Sequence, residues 1–572
     1  MSLTGSLRAP LPRRWQGTLA IQYAVFAVTA IAVLAPLLFV AYQAFIDRPL
    51  HQQGAIWTLG NFAALLADEQ FREASWNTLI FSVLTAVIAQ IIGTVLAILV
   101  SRTNLPGRGF VSQVVIWPLF LSHLLMSFGW YLAFGPSGYV TLQLQAWFGD
   151  VPWNLYSIAG MAFITGNCQA PLAFLFCIAA ARQIDPNLES TARSVGARPL
   201  RILTSVTLPL LRPAILYGLT MNFVLAIEAL SIPLLFGRPA KIPFFSTFLF
   251  EEAINKAQPQ YHLVAAAAML MLAVILVLLA IQKRLVSNGK RFVTVGGKAS
   301  QPRLFDLGRF RIPVAVAVYG FIFATIILVI GMIVLRSFTV ILTPLMPIAS
   351  VLTLDNYKVL WDNDLYLRSI SNTVLVALIG SIIGTAVTIV VTLVAYRSNF
   401  SLAPALAVVA QTPRALTGVF GGLAFLYLLL AVPMIGGLRN TIWALVFAYV
   451  VRFLPSAIGT ILPALNQISQ DLDLAARNVG ASWWTTCRTI IMPILKLSML
   501  SCVLLLAILM IRDYVTAVFL VAPGSELIGT TILQLWKNGQ IDVIAPLATI
   551  QIIIVFILVQ VSQRVFGVKI YG

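Results

Sequence analysis

With 572 residues, 60% of them hydrophobic, only 10% charged and a mean hydropathy of +0.94, the chain is not an ordinary soluble domain, in which about a quarter of residues are charged. Its formal charge of +18 would suggest nucleic acid in a soluble protein, but here the basic residues lie in loops between apolar runs, where they set orientation in a bilayer. Strand-like alternation is absent, which argues against a β-barrel and predicts an all-α, polytopic membrane protein.

Twelve apolar runs have the length of a spanning helix, ~20 residues, and begin near residues 19, 77, 112, 155, 213, 262, 313, 371, 403, 439, 495 and 543. The first, Leu19 to Phe45, follows Arg8, Arg13 and Arg14 as a secretory signal would. It is too long for a signal core and reads as an uncleaved span. If the N-terminus lies inside, the loops on its side carry more than twice the Lys and Arg of the opposite loops. The loop after span 4 alone holds Arg182, Arg193, Arg198, Arg201 and Arg212. This bias predicts cytoplasmic N- and C-termini, with the bilayer rather than nucleic acid as the partner of the basic loops. Cys168, Cys177, Cys487 and Cys502 show no zinc or redox spacing.

The chain contains its own repeat. At an offset of 295, Leu59-Gly60-Asn61-Phe62 matches Leu354-Asp355-Asn356-Tyr357, and Asn77-Thr78 matches Asn372-Thr373. Arg102-Thr103-Asn104 matches Arg397-Ser398-Asn399, and Pro118 matches Pro413. A later pair of polar loops matches at an offset of 284, so the second copy has lost 11 residues between these landmarks, in the loop where Gly135 to Asn154 is long and Pro433 to Arg439 is short. Two parallel six-helix repeats follow: residues 1–285, a polar, basic cytoplasmic linker at 286–312 with Gly289, Gly296, Gly297 and Pro302, and residues 313–572.

The repeated polar loops are the most informative feature. One reads Leu188-Glu189-Ser190-Thr191-Ala192-Arg193-Ser194-Val195-Gly196-Ala197 and reaches Leu208-Pro209. The other reads Leu472-Asp473-Leu474-Ala475-Ala476-Arg477-Asn478-Val479-Gly480-Ala481 and reaches Met492-Pro493. Asp185-Pro186 and Ser469 supply helix-start chemistry, and Glu189, Asp471 and Asp473 suit the positive end of a helix. Gly196 and Gly480 end that short helix in a left-handed cap. A second short helix then runs to Pro209 or Pro493, where the next element can begin. The product predicted for 185–209 and 469–493 is a helix–turn–helix outside the bilayer, with Ala192, Ala475 and Ala476 permitting close approach by a partner.

This pattern resembles that of the inner-membrane permease subunits of binding-protein-dependent ABC importers. Their hallmark is Glu-Ala-Ala, three residues, Gly, nine residues, then Ile-x-Leu-Pro. The chain has Ser190-Thr191-Ala192 and Leu474-Ala475-Ala476 at the first three positions, with the acid one place earlier, at Glu189 and Asp473. It has Val206-Thr207-Leu208-Pro209 and Ile490-Ile491-Met492-Pro493 at the end. The spacing is intact and the Glu is displaced in both copies.

The resemblance implies an importer type I permease fold in a bacterial inner membrane. It implies that Glu189, Ala192, Gly196, Ala197 and Pro209, with Asp473, Ala475, Ala476, Gly480, Ala481 and Pro493, form coupling helices. Two copies of a cytoplasmic ATP-binding subunit would receive them and bind ATP-Mg, the chain itself needing no cofactor. A periplasmic solute-binding protein would dock on outside loops, among them 238–261 and 523–542. Two fused halves, with Tyr449-Val450-Val451-Arg452-Phe453-Leu454-Pro455 before the second loop, look like the ferric-iron branch, whose relatives import thiamine, aminoethylphosphonate or polyamines.

Charges inside spans are costly and often functional, although a lone His such as His123 is more often a satisfied packing residue. Glu228 lies in span 5, Arg512 and Asp513 in span 11, Arg414 in span 9, Arg452 in span 10 and His123 in span 3. Glu228 and Asp513 occupy matching places in the two halves, which suits two acids facing a central pathway for a cationic solute. The alternative is a structural ion pair of Asp513 with Arg452 or Arg414. Trp117, Trp130, Trp153 and Trp443 read as anchors at the membrane interface.

Two other functions compete. A secondary transporter also has six plus six spans, but Ser101 to Arg108 is a poor match to the charged, Gly-rich loop expected there. A membrane-embedded enzyme needs clustered His and acids, whereas His51, His123 and His262 are scattered. Gly289-Lys290 and Gly297-Lys298 lack the remainder of a P-loop, so no ATP hydrolysis by this chain alone is expected.

Overall fold

A computed structural model describes residues 13–50, 52, 54–256, 259–287, 304–415 and 418–566. Among these the fold is all helical, with three isolated β-bridges and no strand. Nine helices are long and apolar enough to span a bilayer, and three bent pairs raise the number to twelve. Arg8 and Gly289, Gly296, Gly297 and Pro302 of the expected linker lie outside the described residues.

In the first half, α1 is Arg13–Ala44, α2 Glu69–Arg102 and α3 Arg108–Phe120. Then come α4, His123–Phe134, α5, Ile158–Gln183, α6, Pro186–Ser194, α7, Leu208–Ile227, and α8, Tyr261–Ser287. In the second half, α9 is Gly308–Ser337, α10 Asp364–Arg397, α11 Ala403–Arg414 and α12 Gly418–Ala431. The chain finishes with α13, Ile442–Asn466, α14, Asp471–Asn478, α15, Lys496–Arg512, and α16, Ile541–Phe566.

The landmarks of the repeat do the same work in each half. Asn61 donates its amide to the carbonyls of Ala44 and Ile46, and Asn356 to those of Ser337 and Thr339. Asn77 donates to the Pro243 carbonyl while Thr78 accepts from Phe245 N–H. Asn372 donates to the carbonyls of Gly524 and Glu526 while Thr373 accepts from Ile528 N–H. These polar side chains fasten loop backbone that would otherwise carry unsatisfied groups near the bilayer. The length difference falls where the landmarks place it: the first half has a ten-residue helix, Tyr139–Phe148, and the second only Pro433–Gly436.

Small residues let the long helices approach. A Cβ on Gly93 of α2 would lie 2.5 Å from the Ala173 Cβ of α5, the close packing that replaces the hydrophobic drive within lipid. The halves also exchange contacts. α1 packs on α12 of the second half, and the end of α9 packs on α4 of the first, where a Cβ on Gly129 would lie 2.6 Å from the Val329 carbonyl oxygen.

Spans 3 and 9 differ from the simple apolar runs expected. Between α3 and α4 the chain turns by 109°, and between α11 and α12 by 111°. Ser122 caps α4 by accepting from Leu125 N–H at 3.2 Å, so its backbone supplies the start of a new helix. Trp130 is also placed differently: it is 4% exposed and packs against Phe134 and Phe163 as a core residue. Trp443, 47% exposed, does reach the outer surface.

Candidate functional site

The two polar loops have the same backbone. Asp185 caps α6 by accepting from Asn187 N–H at 2.9 Å, and Ser469 accepts from Asp471 N–H at the start of α14. Gly196 and Gly480 have φ of 79° and 81°, the left-handed region that costs a side chain energy. Beyond them, Ala197 N–H reaches back to the Ala192 carbonyl and Ala481 N–H to the Ala476 carbonyl, at 3.1 and 3.0 Å. This is the Schellman closure, which satisfies orphan carbonyls of the helix end. The residue before each Gly is an exposed apolar tip: Val195 is 81% exposed and Val479 85%.

The displaced acids have partners. Glu189 is 3% exposed and lies 3.4 Å from Arg102 Nη1, itself 1% exposed. Thr207 Oγ1 donates to Glu189 at 3.0 Å, and Arg102 also donates to the Ala181 carbonyl. In the second half Asp473 lies 2.7 Å from Arg397 Nε, and Arg397 donates to the carbonyls of Ile468 and Ser469, both at 2.7 Å. The acid of each loop is thus tied to an Arg at the end of α2 or α10. Sequence reasoning noted both Arg only as repeat landmarks; an Arg and an acid recurring at matched places was the available signal. Arg193 also stacks over Phe305, 4.5 Å from its centroid, so the segment joining the halves touches the first loop, and Asn104, just beyond α2, bonds Asp306 of the same segment.

The second short helix expected before Pro209 is not separate. A π-helical turn, Leu203–Thr207, leads into α7, and Pro199–Ile227 runs on as one span. The wider turn leaves room for the Pro ring, which would clash with the carbonyl four residues before it. The second copy has the same π turn, Cys487–Ile491, yet bends by 74° between Trp483–Ile494 and α15.

In the membrane interior, a cavity of about 120 Å³ lies between the halves. Its wall brings together His123, Glu228, Arg452, Arg512 and Asp513 from the sequence reading, together with Gln169, Ser231 and Tyr514. Arg452 Nη1 lies 2.6 Å from Asp513 and also bonds Thr516. Gly418 N–H, the first of α12, donates to Glu228 at 2.6 Å. Arg512 donates to the Leu119 carbonyl, and Ser231 and Tyr514 share a hydrogen bond of 2.6 Å. Both acids therefore have partners, and the Asp513–Arg452 pair is the alternative that the sequence left open. Arg414 stands apart. It is exposed, in the short turn Thr412–Ala415, outside the cavity wall. The chain reverses after it, and Gly418 rather than Arg414 reaches the centre. Among the described residues no group of three or more His, Cys, Asp or Glu is placed to hold a metal ion.

Two like bundles around a central polar cavity, each with a capped loop at one end, define a membrane transport subunit with fused halves. The profile of the family described as "Binding-protein-dependent transport system inner membrane component" matches residues 89–291 and 373–568. The chain belongs to this family, as an ABC importer permease with both permease domains in one polypeptide. A probable ABC transporter permease protein, y4fN, of Sinorhizobium fredii is 25% identical over 491 residues, 84% of this chain and 83% of that protein. The ferric transport system permease protein FbpB of Actinobacillus pleuropneumoniae is 24% identical over 500 residues, 86% of this chain and 71% of that protein. The structure of a bacterial alginate ABC transporter in complex with alginate pentasaccharide-bound periplasmic protein overlaps 49% of this chain and 99% of the matched chain, at 21% identity and a TM-score of 0.41.

Proposed function

We propose that this permease carries ferric iron inward across the bacterial inner membrane, driven by two ATP-binding subunits that bind ATP-Mg and seat against 185–209 and 469–493. The observation that carries the docking role is the pair of matched, exposed apolar tips, Val195 and Val479, on loops that are otherwise capped and tied to spans. An apolar side chain held out on a rigid, duplicated turn fits two equivalent clefts of a partner. The termini and these loops face the cytoplasm. A solute-binding protein docks on the opposite side, at 238–261 and 523–542, and releases its solute between residues 1–285 and 313–572. Ferric iron is favoured by the similarity over most of the chain to a ferric permease; thiamine, aminoethylphosphonate and polyamines are the other candidates.

Purification in mild detergent with mass spectrometry tests the assembly. Two ATP-binding subunits per chain are expected, and ATP hydrolysis stimulated by the solute-binding protein. A chain that purifies alone and transports on an ion gradient contradicts it. Uptake of radioactive iron by the reconstituted complex, against the other candidate solutes, tests the solute.

A further inference from the structure

Two donors at the central cavity are met by acceptors from the opposite half. Gly418 N–H and Arg512 belong to the second half; the Glu228 carboxylate and the Leu119 carbonyl belong to the first. Gly418 opens a helix of 14 residues, so its N–H carries the partial positive charge of aligned peptide dipoles. The Arg512 guanidinium stays charged at any accessible pH. Donors of these two kinds select negatively charged oxygen. In this arrangement one carboxylate, that of Glu228, is already seated on one of them.

Arg452 also faces Glu228, but its hydrogen bonds are to Asp513 and Thr516 of its own half. Those bonds survive when the halves part, whereas the bonds of Gly418 and Arg512 across the interface do not. The opposite wall has unspent polarity. Gln169 is 4% exposed, and its amide oxygen, an acceptor that a water or a donor group of the solute would meet, has no partner among the described residues; His123 Nε2 also has none. Unpaired polar atoms of this kind are costly unless a ligand or water meets them.

We propose that, as the halves separate, Gly418 N–H and Arg512 form an oxyanion-binding site, that the solute engages it through a carboxylate, phosphate, phosphonate or sulfate group, and that the Glu228 carboxylate refills it on closure. The inference rests on the permease reading, because it requires the halves to part. It changes what two acids at matched positions imply: they are internal partners, and a bare cation would meet Arg512 and a helix N-terminus instead. Iron that crosses here arrives with oxyanionic ligands.

The test uses the complete complex in nanodiscs, held ATP-bound by hydrolysis-deficient ATP-binding subunits, with inorganic phosphate as the oxyanion probe and putrescine as the cation probe. Phosphate is expected to raise the thermal unfolding midpoint in a saturable way, and putrescine is not. Arg512→Gln should weaken the apparent phosphate affinity at least tenfold. Glu228→Gln removes the charge of the competitor and should tighten it severalfold. A midpoint raised by putrescine and not by phosphate overturns the proposal, as does a phosphate effect indifferent to Arg512→Gln. If Arg512→Gln does not assemble, the direction of the Glu228→Gln effect decides: unchanged or weaker binding overturns the site. Failure of the wild-type chain to bind ATP-binding subunits at all would instead sink the permease assembly.

Discussion

The two polar loops share a backbone and differ in how they are held. In the first, Arg102 and Glu189 are almost fully buried, Thr207 adds a third partner, and the helix beyond continues straight into its span. In the second, Arg397 and Asp473 are 7% and 16% exposed, Ile491 stands where Thr207 does, and the chain bends at Leu495 before its span. Among the described residues the joining segment meets the first loop where Arg193 stacks over Phe305, and it is held beside that loop by Asn104 just beyond α2. A motif thus sets the shape of the loop, while the groups behind it set how firmly that loop is joined to the membrane helices. The first loop is the more firmly held.

Removing one partner of a pair is the strongest way to break this comparison. Arg102→Met leaves the buried Glu189 carboxylate without its cation, which costs about 3–5 kcal/mol. Arg397→Met strands a carboxylate that water partly reaches, and the loss should be at most half as large. Thermal unfolding of the two purified variants checks the order; equal losses would remove the asymmetry.

The turns should respond alike, because they are alike. Gly196→Val and Gly480→Val each force a β-branched residue into the left-handed region, at about 1–2 kcal/mol. No atom lies within 4 Å of the added Cβ at either position, so the cost is conformational, and Asn should be tolerated better than Val. Uptake should fall in both variants with the amount of chain in the membrane unchanged. Normal uptake in the double variant would count against a coupling role.

Thr207→Val gives the first loop the apolar side chain of the second. Loss of the hydroxyl from Glu189 should cost about 1 kcal/mol and speed hydrogen exchange of α6. Ile491→Val costs about 0.5–1.5 kcal/mol in packing at a buried site but breaks no bond to Asp473, so exchange of α14 should change less.

The smallest effect is on pH dependence. The N–H of Gly308, followed by the Asn104 amide, holds the exposed Asp306 carboxyl below its usual 3.8. A depressed folded value means that the anchoring is complete above the ordinary carboxylate pKa and is lost as pH falls through the lowered one. Protease sensitivity of the joining segment should therefore be flat from neutral pH to about pH 5 and rise only in stronger acid. Asp306→Asn should show the loosened state at neutral pH, with no change at the second loop.

Much of this was legible in the sequence. Apolar runs marked every span because lipid leaves a helix few alternatives, and the spacing of Gly196 to Pro209 and Gly480 to Pro493 carried the loop geometry through local backbone rules. Pro118 and Pro413 were visible as a repeated pair, yet the reversals after them depend on caps and on packing between halves, which no local pattern encodes. The same holds for the charges. Glu228, Arg452, Arg512 and Asp513 stood out as costly in lipid, but their convergence, and the exclusion of Arg414, follow from where the chain reverses. Arg102 and Arg397 were read as landmarks because an Arg at a helix end looks ordinary until an acid from 76 or 87 residues away is folded against it.

The most direct measurement is uptake per ATP hydrolysed in proteoliposomes holding the complete complex, compared for wild type, Arg102→Met and Arg397→Met. If the loops drive the membrane helices through these ion pairs, ATP hydrolysis persists in both variants while uptake per ATP drops, and drops further for Arg102→Met. An unchanged ratio in both variants would contradict the account, showing that force reaches the spans by another route.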